Sequence, residues 1–139
     1  MHFACHGTQD IDEPSSGRLF LSDGEFRVAD IARLRLDGAE LAFLSACETA
    51  VGGSRLPDEA IHLTGALQLA GFTHVIGTMW RVDDNYAVEM AERVYRFLAA
   101  HSAEDGLAVA QALHHAVRAL REETPESPTA WAAHIHAGP

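Results

Sequence analysis

Two residue types in this chain can do nucleophilic chemistry together. His6, followed by Gly7, closes the apolar run Met1-His2-Phe3-Ala4-Cys5, and Cys47 closes Glu40-Leu41-Ala42-Phe43-Leu44-Ser45-Ala46. An imidazole accepts or delivers a proton near neutral pH, while a thiolate attacks a carbonyl carbon. The tetrahedral intermediate of such an attack carries an oxyanion, which backbone N–H groups can hold. Gly7 has no side chain to keep a carbonyl oxygen from its N–H, and the N–H of Cys47 can act as a second donor. The pair points to a cysteine peptidase. On residue types alone, a polar turn at His6-Gly7 and a buried inert thiol at Cys47 stay open as well.

For the two groups to meet, the elements that carry them must end at one place. Both runs are short, apolar and bounded by turn-forming residues, which predicts strands. A third run, His74-Val75-Ile76-Gly77-Thr78-Met79-Trp80, predicts another core strand, and Trp131–Ala137 a last one. The runs are continuous rather than alternating, as in parallel strands covered on both faces. Helices are expected between them. Pro57-Asp58-Glu59 opens one that stops at Gly71, and Leu63, Ala66, Leu67, Leu69 and Ala70 make it apolar nearly all round, hence buried. Asp83-Asp84 caps a second that runs to about Ala100, with a core stripe at Ala87, Met90, Ala91, Val94, Phe97 and Leu98. A third, about Asp105–Arg121, would bury Leu107, Ala110, Leu113, Val117 and Leu120. Residues 7–17 read as a polar loop. Ser22-Asp23-Gly24 reads as the turn of a small hairpin between Arg18–Leu21 and Glu25–Val28, with a short helix after it. Strand–helix alternation implies a single α/β domain of three layers with a mostly parallel sheet. In such sheets, sites lie where the carboxyl ends of neighbouring strands converge.

Composition narrows the chemistry. The 139 residues match one domain, and 47% hydrophobic with 22% charged is ordinary for a globular chain. A net charge of −10 argues against a nucleic-acid partner, which needs a basic face. All ten cationic residues are arginine, so a lysine Schiff base and a P-loop lysine are excluded. Together with the many alanines, this suggests a bacterial genome of high GC content. Two cysteines, Cys5 and Cys47, cannot make a secreted disulfide framework. No signal sequence and no apolar stretch of membrane-spanning length are evident, so a reducing cytoplasm is the expected compartment.

Phe3-Ala4-Cys5-His6-Gly7, the hairpin Arg18–Val28 and Leu44-Ser45-Ala46-Cys47-Glu48-Thr49-Ala50 resemble the CHAT family. The likeness continues through Ala70–Asp84 and ends in Trp131-Ala132-Ala133, covering essentially the whole chain. CHAT domains are caspase-like peptidase domains, usually attached to tetratricopeptide repeats and related to caspases, gingipains and separases. The resemblance implies that His6 is the catalytic histidine and Cys47 the nucleophile. It also implies an endopeptidase of bacterial regulatory or defence type, narrow in the residue before the cut and switched on by a partner. No cofactor is implied. The expected partners are a protein substrate and a tetratricopeptide-repeat or other regulatory protein. A caspase-like sheet usually has strands and a helix before the histidine strand, and this chain has none of them. The N-terminal strands are therefore expected to be missing. The fragment alone would then be poorly active, with Met1–Cys5 at a sheet edge or beside vacant strand positions.

Other side chains have competing roles. Cys5 precedes His6, so strand alternation turns it to the opposite face, into the core. Glu48 could orient His6, contact substrate, or simply be solvated. Asp83 and Asp84 could line a pocket for a basic side chain, or cap the helix that they open. His2, Cys5 and His6, or His114 and His115, could be imagined as metal ligands, but none has a strong zinc spacing. No metal is expected. A non-catalytic interaction module is the alternative to the peptidase.

Overall fold

A computed structural model describes residues 1–8, 17–45, 57–101 and 107–139. Its main sheet holds four strands in the order β1 (His2–Ala4), β5 (Leu41–Ser45), β6 (His74–Thr78) and β7 (His134–Ala137). β1, β5 and β6 run parallel; β7 runs antiparallel to β6. A second sheet is built from β2 (His6–Thr8), β3 (Arg18–Leu21) and β4 (Gly24–Arg27), all antiparallel. The expected α/β architecture with a mostly parallel sheet is what the chain adopts.

The alternation of side chains along β5 and β6 sorts the core into two layers. Ala42, Leu44 and Val75 face one side and pack with Leu63, Leu67 and Ala70 of α2 (Pro57–Ala70) and Ile31 of α1 (Val28–Ile31). Phe43 and Ile76 face the other and pack with Met90 and Val94 of α3 (Asp84–Ala100) and with Ala112, Leu113 and Leu120 of α4 (Ala108–Glu123). Helices on both faces of the sheet make three layers. Arg93 ties α3 to α4, donating to Glu89 at 2.5 Å and to Glu123 at 2.6 Å.

α2 stops where the sequence puts its glycine. Gly71 has φ +119°, and a Cβ there would lie 2.5 Å from the carbonyl oxygen of Leu36. That segment passes so close because the Leu36 N–H donates to Ala70 O at 2.7 Å. Only glycine fits both the backbone angle and the gap.

Several expectations need correction. The strand before His6 does not end in a loop: the chain bends at Cys5 and re-enters as β2, where His6 pairs with Phe20 and Gly7 with Leu19. The polar-loop reading fails there because pairing with the hairpin overrides the local turn signal at Gly7. Leu69 in α2 is 72% exposed, since a helix lying on one sheet face buries one stripe however apolar its other face is. In α4, Leu107 precedes the helix and is 55% exposed, and Ala110 and Val117 are only partly covered. The buried stripe instead uses Val109, Ala112, Leu113, Ala116 and Leu120. Trp131 belongs to a short helix, α5 (Pro128–Trp131), which has proline at its start. The last strand consequently begins only at His134.

Among the described residues β1 pairs on one side only, with β5, so it is the outer strand of the main sheet. No helix of the described residues is long and apolar enough to cross a membrane.

Candidate functional site

The parallel register fixes which residues share the carboxyl edge. His2 pairs with Phe43, Phe3 with Leu44 and Ala4 with Ser45. β1 and β5 therefore finish on the same rung, and β1 leads through Cys5 into His6. α3 enters the third layer just above this edge, since it opens at Asp84 soon after β6 ends at Thr78. Between β1, β5 and α3 lies a cavity of about 800 Å³, within the range of ligand and substrate clefts.

His6 borders this cavity, with Ser45 at the end of β5 and Asp84, Ala87, Val88, Ala91, Glu92, Tyr95 and Arg96 from α3. Its walls are mostly apolar, with charged groups contributed by the exposed side of α3. Glu92 and Arg96 approach each other at 3.8 Å on that side, one helical turn apart. Val88 is 59% exposed, unusual for a branched apolar residue on an otherwise well-packed helix.

Along the cavity wall, the imidazole of the exposed His2 hydrogen-bonds through Nε2 to Oγ of the buried Ser45. Its ring centroid lies 5.1 Å from that of Phe43 and 5.7 Å from that of Tyr95. Partial burial against these rings holds the His2 imidazole below the ordinary histidine range, favouring its neutral form. From the sequence, His2 offers itself only as a conceivable metal ligand. Its actual partner is Ser45, 43 residues away, a separation that no local pattern reports. Among the described residues, no group of three or more His, Cys, Asp or Glu side chains could hold a metal ion.

The sequence-predicted residues separate as follows. His6 and Asp84 are brought to the same cavity. Gly7 is buried within β2, opposite Leu19. Asp83 is the cap of α3: its Oδ1 accepts the backbone N–H of Asn85 at 3.0 Å and the side-chain amide of Asn85 at 3.0 Å. Cys5 is half-buried and packs against the α2-side core as expected, and burial pushes its thiol upward, toward the unreactive protonated form. It nevertheless borders the cavity, because the bend between β1 and β2 breaks the alternation that would have turned it away. Cys47 and Glu48 lie outside the described residues.

A family model for the CHAT domain matches residues 1–139, the full length of the chain. No curated protein matches it.

Proposed function

The chain belongs to the CHAT domain family, a caspase-like, peptidase-related group, and on that premise we propose that it is a cysteine endopeptidase using Cys47 and His6. The observation that carries this reading is the cavity at the carboxyl edge of the sheet, which His6 borders and at which β5 ends with Ser45. Cys47 follows Ser45 by two residues, a distance of two peptide steps of about 3.8 Å each.

The proposed reaction is acyl transfer followed by hydrolysis. The Cys47 thiolate attacks the carbonyl carbon of the scissile peptide, and backbone N–H groups, those of Gly7 and Cys47 foremost, take up the charge on oxygen. As the C–N bond breaks, the protonated His6 imidazole delivers its proton to the leaving amine. Water then adds to the thioester with His6 accepting a proton from it, which releases the carboxylate product and restores the thiol.

Asp84 is the carboxylate that we assign to substrate, since Asp83 is engaged in capping α3. An apolar trough with a carboxylate beside it suits a side chain with a methylene stem and a cationic head, so arginine or lysine before the cut is the proposed preference. A protein substrate and a regulatory partner, such as a tetratricopeptide-repeat protein, complete the proposal.

The deciding experiment is labelling by an acyloxymethyl-ketone peptide carrying arginine next to the reactive carbonyl. Wild-type chain should be modified at Cys47, and Cys47→Ala should not be modified at all. Labelling that persists in Cys47→Ala and disappears in Cys5→Ser would move the nucleophile to the other thiol. Absence of labelling together with absence of peptide cleavage would leave a non-catalytic interaction module.

A further inference from the structure

We propose that His74 and His136 form a binding site for a late first-row divalent metal ion, which would clip β7 to β6. The site lies at the amino end of β6, away from the cavity at the carboxyl edge, and stands apart from the peptidase reading.

Strand register brings the two rings together. β6 and β7 pair antiparallel, Val75 with Ala137 and Ile76 with His136. One step further along, His74 stands opposite Gly138, with His136 as its diagonal neighbour on the same face of the sheet. Long side chains reach each other across such a diagonal. Gly138 makes room for this contact. It has φ +150°, and a Cβ there would lie 2.8 Å from Nδ1 of His74 and 3.2 Å from Nε2 of His136. The same Cβ would lie 2.7 Å from the carbonyl oxygen of Thr73. Any side chain at this position would wedge into a space that three polar atoms border.

The spacing of the two nitrogens suits a shared ion. Nδ1 of His74 and Nε2 of His136 are 3.1 Å apart, with the ring planes inclined by 27°. Nitrogens bound at about 2.0–2.1 Å to one ion are about 2.9 Å apart at a right angle and about 3.3 Å apart at the tetrahedral angle. The observed separation falls between these values, so little movement is needed to admit an ion. Without metal, one ring donates an N–H to the other. On binding, that proton moves to the far nitrogen of its ring, so both facing nitrogens offer lone pairs and no proton is lost overall.

Packing and access also fit. His74 is 8% exposed, so its ring direction is set by the protein. His136 is half-buried, and the exposed Gly138 beside it leaves a route from solvent. Two imidazoles are fewer than the three protein ligands of a catalytic zinc centre, and no third His, Cys, Asp or Glu joins them among the described residues. Affinity should therefore be modest and strongest for Cu²⁺, with Ni²⁺ and Zn²⁺ weaker and water filling the remaining positions.

The test titrates Cu²⁺, Ni²⁺ and Zn²⁺ separately into the metal-free full chain. It compares wild type with His136→Gln and with a double variant, His114→Ala and His115→Ala, that removes two other histidines. A glutamine amide can keep the hydrogen bond to His74 but is a poor ligand, so His136→Gln should melt near the wild-type temperature without metal. Wild type should take up a single equivalent of Cu²⁺, with two equatorial imidazole nitrogens in its electron paramagnetic resonance spectrum, and each metal should raise its melting temperature. His136→Gln should bind at least about tenfold more weakly and lose the melting shift. The double variant should behave as wild type. Uptake and spectrum unchanged in His136→Gln would place the ion elsewhere and overturn the inference. Uptake by wild type no greater than by His136→Gln would show that His136 only satisfies the buried His74, and would overturn it equally. Should His136→Gln fail to fold, diethylpyrocarbonate modification of wild type decides: saturating Zn²⁺ should protect His136, and an unprotected ring would sink the site.

Discussion

The face of the sheet covered by α3 and α4 has two unlike flanks. On the β6–β7 flank, Ile76, Met90, Val94, Val109, Leu113 and Leu120 close the space between sheet and helices, with Phe43 at the boundary. The seal is complete enough to bury His134, both of whose ring nitrogens lack a hydrogen-bond partner. On the β1 flank, the space between sheet and α3 stays open as the cavity, bordered from α3 by Ala87, Val88, Ala91 and Tyr95 among others. α4 packs against α3 and β7 and not over β1, so nothing among the described residues closes that side. One flank supplies stability and the other supplies a cleft.

This division predicts that changes on the two flanks have opposite signatures. If His6 is the acid–base group proposed above, His6→Ala on the open flank should lower peptide hydrolysis by about a hundredfold or more while the melting temperature stays put. Leu120→Ala on the sealed flank should do the reverse, removing about 2–5 kcal/mol of stability and leaving the turnover of folded protein near normal. Denaturant titration beside single-substrate kinetics would check both. A matched loss of activity and stability in either variant would break the comparison.

Acid should also act first through the sealed flank. Burial holds the His134 imidazole at about 4, against about 6.5 for an exposed histidine. The folded state therefore favours the neutral ring. Stability from this group is fully present above pH 6.5 and is lost as the pH falls toward 4, by on the order of 3 kcal/mol. His2 and His136, also lowered by burial, add losses of the same sign. Unfolding free energies measured at intervals between pH 7 and pH 4 should show a steep decline that His134→Leu makes shallower. An unchanged slope in that variant would exclude His134 as the main acid-sensitive group.

The smallest effects should separate the two neighbouring aspartates. Asp83→Ala removes the cap of α3 and should cost about 1 kcal/mol of stability without changing which peptides are cut. Asp84→Asn should leave stability nearly unchanged and weaken cleavage after arginine or lysine selectively. Equal losses for all peptides in Asp84→Asn would remove the substrate role assigned to it.

Much of the scaffold was legible because its signals are local. The hairpin turn, the stop at Gly71 and the cap at Asp83 each depend on a few adjacent residues and appear close to where those residues stand. The turn residues, however, are Ser22 and Asp23, and Gly24 already pairs with Leu21 as the first residue of β4. The core stripe of α3 followed from spacing alone, with Ala87, Met90, Ala91 and Val94 buried. What escaped was set by distant contacts. The re-entry of the chain as β2 depends on Leu19 and Phe20, and the side-chain hydrogen bond of His2 to Ser45 joins residues 43 positions apart. Leu69 and Leu107 are as apolar as their buried neighbours, but Leu69 lies on the outward face of α2 and Leu107 stands just before the first turn of α4. Of the proposed site, His6 and Asp84 were placed on one cavity, while Cys47 and Glu48 fall outside the described residues.

The cavity also has a time of assembly. Its walls come from His2–His6, from Ser45 and from the span Asp84–Arg96, so its two sides lie some eighty residues apart in the order of synthesis. At about 5–20 residues per second, the proposed proton donor is made several seconds before the helix that roofs the cleft. The β3–β4 hairpin closes within ten residues of chain, whereas β1 must wait for β5 across forty-one. A ribosome-bound chain that has not yet extruded α3 holds His6 but no cleft.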